Sequence, residues 1–339
     1  MVVLAIGVTP DTVLAKEAGL ELGIKESIVV NDRMETSVPD IYAAGDAVQV
    51  KHYVTGNDAL ISLAGPANKQ GRIIADNICG GDSRYLGSQG SSVIKVFDMT
   101  AATTGINETN AKKSGLEVDT VILSPMSHAG YYPGGKVMTM KVVFEKETYR
   151  LLGAQIIGYE GVDKRIDVLA TAIHAGLKAT QLKDLDLAYA PPYSSAKDPV
   201  NMAGFMIDNI AKGTLKQWHL EDMDKISKDK DVVLLDVRTV GEFSMGHIDG
   251  FKNIPVDELR ERISEIEKGK PVYLICQSGL RSYIASRILE GNGYETYNFS
   301  GGFRFYDAVV NDRALIERAY ACGMAVSYTH LTVPTNSLV

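Results

Sequence analysis

The fold is decided by the segment TSVPDIYAAGD, Thr36 to Asp46, which lies near the start of a 339-residue chain. Pro39 marks a turn, and the apolar run Ile41 to Ala44 is predicted to form a strand that ends in Gly45 and Asp46. Because glycine lacks a side chain, a ligand can approach such a strand end closely, and a terminal acid can bind its hydroxyl groups. The alternative is an ordinary buried strand followed by a loop aspartate, the commoner meaning of an isolated Gly-Asp pair.

Composition limits the classes of protein that the chain can represent. Hydrophobic residues make up 45% and charged residues 23%, which is typical of a folded globular protein. The formal net charge of −7 and the lack of a dense basic run argue against a nucleic-acid surface. No apolar stretch is long enough to span a membrane. The three cysteines lie far apart, so we expect no disulfide framework, no metal site and a cytoplasmic location.

The chain divides into segments with different patterns. We expect boundaries near 1–85, 90–213 and 214–312, with a linker or domain end over 313–325. The last residues include the run Val326 to Leu331, which resembles a translated sequencing adaptor, so residues 326–339 are interpreted as non-native. A natural disordered terminus is the alternative.

Hydrophobic periodicity predicts the elements of each segment. The first has a short strand at 28–30 and a helix over 60–78. The second has strands at 93–97, 137–144 and 151–157 and helices at 108–115 and 162–175, which favours an antiparallel sheet with helices on one side. The third has strands at 232–237, 272–275 and 296–299 alternating with helices at 257–267 and 281–289, which favours a small parallel sheet.

The strongest chemical signal is the loop CQSGLR, Cys276 to Arg281, between a predicted buried strand and a helix. Successive backbone N–H groups and a helix N-terminus favour negative charge, and therefore a thiolate or a persulfide. A buried structural cysteine is the alternative. The position at a strand end, with Gly279 and Arg281 close behind, favours the reactive cysteine.

Two loops rich in proline, glycine and tyrosine lie in the second segment. They read SHAGYYPG, Ser127 to Gly134, and LAYAPPYSSAKDPVN, Leu187 to Asn201. Functional side chains often lie on such loops, and a tyrosine hydroxyl can donate a proton near a thiolate. From composition alone, turn formation and interface packing are the favoured interpretation.

Three motifs in order resemble the pyridine nucleotide-disulfide oxidoreductases. They are LAIGVTP (4–10), TSVPDIYAAGD (36–46) and LAGPANKQGR (63–72). The resemblance implies an α/β fold with FAD- and NAD(P)-binding domains and an α+β dimerisation domain. It also implies that FAD is contacted by Thr36, Ala44, Gly45, Asp46, Ala64 and Tyr189.

The third segment resembles rhodanese domains. The matching strings are LLDVRTVGEFSMGHIDGFKNIP, Leu234 to Pro255, and NFSGGFRFY, Asn298 to Tyr306. This implies a small α/β domain with a parallel sheet, in which Cys276 is the sulfur-carrying nucleophile and Arg281 is catalytic. Four residues separate Cys276 from Arg281, one fewer than in related cysteine phosphatases, so sulfane sulfur is the expected cargo. Asp236, Arg238 and His247 are expected to be structural, and a catalytic base is the alternative role for His247.

The two tyrosine loops resemble those of coenzyme A-disulfide reductase and its rhodanese-fused relatives, the persulfide and polysulfide reductases. The resemblance implies a homodimer in which Tyr131 and Tyr189 assist the redox thiol and flavin of the partner subunit. Lys197 would contact a coenzyme A phosphate, and Asn68 would lie near the bound thiol. The neighbouring Tyr132 and Tyr193 remain alternatives.

The chain departs from this family in one respect. The redox cysteine and the glycine-rich FAD and nicotinamide fingerprints find no match, and Cys79 does not have the required context. We therefore expect the C-terminal part of a longer enzyme, redox-inactive by itself.

The predicted parent is an FAD-dependent, NAD(P)H-using reductase of coenzyme A disulfide, persulfide or polysulfide that receives sulfur from sulfane-sulfur donors. The alternative is a sulfurtransferase only, with the flavin-domain remnant as a dimerisation scaffold. The sequence leaves open the choice among the three substrates and between NADH and NADPH.

Overall fold

The computed structural model describes residues 7–321, with backbone only over 313–321. The chain divides into two compact units. The first contains the residues up to Ser92 together with Thr103–Ile106, and the second contains Val93–Ala102 and the residues from Asn107 onward. Predictions for residues 326–339, and for Cys322, lie outside the described part of the chain.

The first unit is built on a small sheet and one long helix. Its elements are α1 (Val13–Glu17), β1 (Ile28–Val29), β2 (Val48–Lys51), β3 (Asp58–Ala59) and α2 (Ala64–Ile78). β1 pairs with β2 in parallel, and β2 pairs with β3 antiparallel. Met34, Val48 and Val50 form the buried core against which the partly buried Ile73 and Ile74 of α2 pack.

The strand predicted at Ile41–Ala44 does not form, and this prediction was wrong. Tyr42 makes only an isolated bridge with Glu35. The backbone N–H and the hydroxyl of Thr36 both donate to the carbonyl of Ile41, at 2.9 and 3.0 Å, which closes a tight loop before an extended pairing can begin. The strand parallel to β1 starts two residues after Asp46, at Val48.

The helix predicted over 60–78 begins later, at Ala64, and ends as predicted at Ile78. Pro66 lies in its first turn, where the missing N–H costs no helical hydrogen bond.

The next part of the chain, most of which belongs to the second unit, is an antiparallel sheet with helices, as predicted. Its elements are β4 (Ser92–Val96), β5 (Met99–Gly105), α3 (Glu108–Lys113), β6 (Val118–Leu123), β7 (Thr139–Glu145), β8 (Leu151–Gly158), α4 (Val162–His174) and α5 (Pro199–Ala211). The strand order is β4-β5-β8-β7-β6. The sequence did not predict α5, although Pro199 opens it and the Asp198 side chain accepts a hydrogen bond from the N–H of Val200.

The second part of this unit is a parallel sheet covered by helices. Its elements are β9 (Gln217–Trp218), α6 (Met223–Ile226), β10 (Val233–Asp236), α7 (Val240–Met245), β11 (Lys252–Asn253), β12 (Val272–Ile275), α8 (Leu280–Glu290), β13 (Thr296–Phe299) and α9 (Gly302–Ala321). All four pairings in the order β11-β10-β12-β13-β9 are parallel. Because side chains alternate along each strand, Leu235 and Leu274 enter one core cluster, while Ile275 and Phe299 enter another.

The helix predicted over 257–267 is absent, and this prediction was wrong. The segment makes turns and one short 3-10 helix, Ile263–Glu265. The hydroxyl of Tyr294 donates to the carbonyls of Ile263 and Ile266, at 3.3 and 3.0 Å, so tertiary contacts engage backbone groups that a regular helix would use internally. Helix propensity is overridden by that context.

None of the described helices is both long enough and apolar enough to cross a membrane.

Candidate functional site

The Cys276 sulfur lies in a cradle between β12 and α8. The N–H of Gly279 donates to Sγ at 3.1 Å, and the hydroxyl of Ser282 lies 3.1 Å from the same atom. Cys276 is only 1% exposed. The loop thus lies between a buried strand and the N-terminus of an eleven-residue helix, the position that the sequence predicted.

Backbone conformation and close packing fix the Cys276 loop. Gly279 precedes α8 with φ of +100°, a conformation that other residues rarely adopt. A Cβ added to Gly302 would lie 2.7 Å from the carbonyl group of Gln277. The first turn of α9 also binds the loop, because the N–H of Phe303 donates to the Cys276 carbonyl at 2.8 Å.

Arg281 is held by a carboxylate on α7. Its Nη1 and Nη2 atoms donate to the two carboxylate oxygens of Glu242, each at 2.7 Å. The hydrogen bond from Arg281 is the largest cause that lowers the pKa of Glu242, to about 2. The same hydrogen bond raises the pKa of Arg281. Sequence reasoning missed Glu242, since its partner lies 39 positions away.

Of the residues expected to be structural, Asp236 and Arg238 form a buried pair beneath the loop, while His247 is exposed. Arg238 donates to Asp236 through Nη2 at 2.7 Å and to the carbonyl of Gly246 at 2.8 Å. Its guanidinium lies 3.8 Å from the centre of the Phe303 ring. His247 stacks on Phe243, with ring centres 4.1 Å apart.

The two tyrosine loops meet at their hydroxyl groups. Tyr131 and Tyr189 hydrogen-bond to each other, and their side chains are 76% and 45% exposed. The bond to Tyr131, with a smaller contribution from desolvation, raises the pKa of Tyr189. Tyr132 and Tyr193 are also exposed.

A buried arginine positions both loops, and sequence reasoning missed it. Arg165 of α4 donates through Nη2 to the Ser127 carbonyl at 2.9 Å, to Asp198 at 3.0 Å and to the Ser194 hydroxyl at 3.2 Å. A cleft of about 590 Å³ beside this network is lined by residues that include Tyr189. The only sequence signal was an arginine next to the apolar face of a predicted helix.

Lys197 lies in the second loop with an exposed side chain that binds no other described residue. Its backbone carbonyl accepts a hydrogen bond from the Ser195 hydroxyl at 3.2 Å.

In the first unit, the TSVPDIYAAGD segment is tied to α2. The N–H of Gly45 donates at 2.7 Å to Oε1 of Gln70, which is 1% exposed. Sequence reasoning did not single out Gln70, although it lies within the LAGPANKQGR motif. Asn68 donates to the carbonyl of Ala64 at 3.0 Å.

These residues fit a hydroxylated, phosphate-bearing cofactor such as FAD. Asp46 is exposed, and no described side chain or backbone group hydrogen-bonds its carboxylate. Ala64 opens α2, and Leu63 before it supplies no side-chain cap, so the first N–H groups of this helix are available to an anionic ligand.

Family models match three parts of the chain. Residues 1–71 match the pyridine nucleotide-disulphide oxidoreductase model, residues 91–199 match the dimerisation domain of that family, and residues 219–308 match the rhodanese-like domain. The predicted α/β fold class, with a small parallel-sheet rhodanese domain, is confirmed.

The chain is similar to two solved structures over most of its length and to a curated relative over 200 residues. The structure of reduced Bacillus anthracis CoADR-RHD is 48% identical with a TM-score of 0.89, covering 92% of this chain and 56% of that one. An NAD-dependent persulfide reductase from A. fulgidus is 42% identical with a TM-score of 0.81, covering 88% and 55%. NAD(P)H sulfur oxidoreductase (CoA-dependent) of Pyrococcus abyssi is 38% identical over 200 residues, covering 59% of this chain and 45% of the relative.

The chain thus spans about half the length of the relatives that it matches. The matched domains follow one another in the same order as the motifs in the sequence, and the Cys276 loop lies within the rhodanese-like match. The chain belongs to the pyridine nucleotide-disulphide oxidoreductases and carries a C-terminal rhodanese-like domain.

Proposed function

We propose that the chain serves an FAD-dependent, NAD(P)H-using reductase of coenzyme A disulfide, persulfide or polysulfide, in which the rhodanese-like domain transfers sulfane sulfur. The observation that carries this proposal is the Cys276 sulfur, held by Gly279 and Ser282 in the same compact unit as the paired tyrosines. The similarity to persulfide and CoA-dependent sulfur reductases supports this function over sulfur transfer alone.

At Cys276 the proposed step is thiol–persulfide exchange. The Cys276 thiolate attacks the outer sulfur of a donor R–S–S⁻, an S–S bond forms, and the R–S⁻ thiolate leaves with the electron pair. The product, a Cys276 persulfide, carries one negative charge, which the Gly279 N–H and the Ser282 hydroxyl stabilise.

One hydroxyl of the Tyr131–Tyr189 pair donates to the other, which leaves the second hydroxyl to donate toward the reducible sulfur or the flavin. Their mutual hydrogen bond fixes the two hydroxyls next to each other and raises the pKa of Tyr189. Such a donor stabilises a thiolate that leaves when a disulfide or persulfide is reduced.

FAD, when bound, supplies the transfer of electrons from NAD(P)H to sulfur. The residues that would hold it are the exposed carboxylate of Asp46, the backbone around Gly45, and the first turn of α2 at Ala64. Thr36 and Ala44 belong to the same loop, and Tyr189 would complete the site from the partner subunit.

For the coenzyme A moiety, the exposed ammonium of Lys197 suits a phosphate as a point charge, and Asn68 would lie near the thiol. We further propose a homodimer, because the dimerisation-domain match covers both tyrosine loops almost completely. A cytoplasmic location, where thiols stay reduced, suits this chemistry.

The test uses the full-length, FAD-loaded parent enzyme and follows NADH oxidation with coenzyme A persulfide and with coenzyme A disulfide. When the persulfide is supplied by a sulfane-sulfur donor, Cys276→Ser should slow NADH oxidation at least about tenfold, because the thiol that carries the sulfur is lost. It should leave the disulfide reaction intact. Persulfide turnover that is unaffected by Cys276→Ser would show that the domain does not deliver sulfur. Lack of NADH oxidation with every substrate would contradict the reductase.

A further inference from the structure

Two arginines next to the Cys276 loop, Arg281 and Arg238, are paired with carboxylates of the same domain. Arg281 donates twice to Glu242, and the two side chains are only 29% and 28% exposed. Arg238, beneath the loop, is paired with Asp236 and fully buried. Each guanidinium is therefore already paired with a carboxylate of the domain.

The remaining donors suit a single sulfur atom. The sulfur of Cys276 is contacted by one backbone N–H and one hydroxyl, both 3.1 Å away. A persulfide brings one negative charge that can spread over two sulfurs. Thiosulfate is a dianion with three oxygens. Moving it from water into the site costs free energy unless several hydrogen-bond donors or a cation replace the lost water contacts. Arg304, whose side chain is exposed, contributes its backbone N–H to the loop.

Glu242 determines whether Arg281 could serve such an oxyanion. The planar guanidinium matches a sulfonate group as well as it matches a carboxylate. Arg281 directly precedes Ser282, whose hydroxyl lies 3.1 Å from the Cys276 sulfur. With Glu242 in place, both outer nitrogens of Arg281 are engaged.

We propose that Glu242 is a specificity-determining residue, which binds Arg281 and thereby restricts the Cys276 site to organic persulfide and polysulfide donors at the expense of thiosulfate. This inference rests on the sulfur transfer at Cys276 proposed above.

The two competing reactions differ only in the leaving group. With a persulfide, the Cys276 thiolate takes the outer sulfur of R–S–S⁻ and releases R–S⁻. With thiosulfate, it takes the outer sulfur and releases sulfite, SO₃²⁻. In both, one S–S bond breaks and one forms, the leaving group departs with the electron pair, and no external oxidant or reductant is consumed.

The test measures the rate at which the full chain gains one sulfur at Cys276, by mass spectrometry after quenching with an alkylating agent. Glutathione persulfide and thiosulfate are the two donors. The wild-type chain should load from the persulfide at least about tenfold faster than from thiosulfate. Glu242→Gln should raise the thiosulfate-to-persulfide rate ratio by about tenfold, the worth of roughly one charge-assisted hydrogen bond. Adding Arg281→Gln should remove that gain.

Glu265→Gln provides the matched control. Glu265 also forms a forked pair with an arginine, Arg262, at 2.7 and 3.1 Å, and its pKa is also lowered to about 2. It belongs to a turn outside the Cys276 loop, so its loss should leave the donor ratio unchanged. Glutamine at position 242 can still cap α7 together with Thr239, and melting curves verify that each variant folds.

Three outcomes would overturn the proposal. Equal loading of wild type from both donors would show that the site does not select, and an unchanged donor ratio in Glu242→Gln would show that this residue does not set selectivity. If the wild-type chain loads from neither donor, sulfur transfer at Cys276 fails and the role of Glu242 fails with it. The first two outcomes leave sulfur transfer standing, so the two proposals are distinguishable.

Discussion

Cys276 was identified from sequence because its signal is local. A cysteine that follows an apolar strand and precedes Gly279 and a helix occupies a recognisable position, and the described sulfur lies there. Glu242 and Gln70 were missed because their partners, Arg281 and Gly45, are 39 and 25 positions away. A single sequence does not reveal which of many surface carboxylates or amides meets a distant loop.

The Glu242–Arg281 pair predicts a pH dependence of stability. The pKa of Glu242 is about 2 in the folded protein, against an ordinary value of 4.5. A lowered pKa adds stability that is complete above the unfolded value and is lost as the pH falls through the folded value. The difference in free energy of unfolding between wild type and Glu242→Gln should therefore be constant above pH 4.5 and shrink between pH 4.5 and about 2.

Urea unfolding at a series of pH values measures this difference. If it keeps the same size down to pH 2, the pair does not carry the proton linkage.

Hydrophobic periodicity predicted the buried strands well. It failed for segments whose backbone groups are held by hydrogen bonds from other parts of the chain. Strands Val272–Ile275 and Thr296–Phe299 were predicted with their observed bounds. The segments at 41–44 and 257–267 failed because hydrogen bonds from Thr36 and Tyr294 engage their carbonyls. The helix α5 was missed, although its start at Asp198 and Pro199 is a recognised signal.

The tyrosine loops depend on the buried pair Arg165–Asp198. We expect Asp198→Ala to lower the free energy of unfolding by about 3 kcal/mol, because it leaves a buried guanidinium without its counter-charge. Lys216→Ala is the control. It breaks a half-exposed pair with Glu295 and should cost less than about 1 kcal/mol. Chemical denaturation of both variants measures the two costs, and equal losses would mean that burial does not strengthen the Arg165 pair.

In the second unit, the dimerisation domain and the rhodanese-like domain are joined by polar contacts. Asp119 of β6 accepts hydrogen bonds from Gln217 at 3.1 Å and lies 3.1 Å from Nε2 of His219. The Ser300 hydroxyl accepts from the N–H of Ile122 at 3.1 Å. These contacts fix where the Cys276 domain lies relative to the sheet that carries the tyrosine loops, a relation that motif order alone could not predict.

We therefore expect Asp119→Ala to increase hydrogen exchange in the segment 216–220 at least about tenfold, because it removes contacts worth roughly 1.4 kcal/mol or more. Exchange in α8 should change little. Mass spectrometry of peptic peptides measures hydrogen exchange in both segments. The control is Glu295→Ala, which removes the half-exposed ion pair with Lys216 but no contact with Asp119. Unchanged exchange in 216–220 would mean that apolar packing around Trp218 alone holds the domains together.

The central claim is that Cys276 carries sulfane sulfur. Intact-protein mass spectrometry of the chain, after incubation with glutathione persulfide and alkylation, tests it most directly. The account predicts a gain of one sulfur atom, assigned to Cys276 by peptide sequencing, lost in Cys276→Ser and unaffected by Cys79→Ser. A chain that gains no sulfur at Cys276, or gains as much at the exposed Cys79, would contradict it.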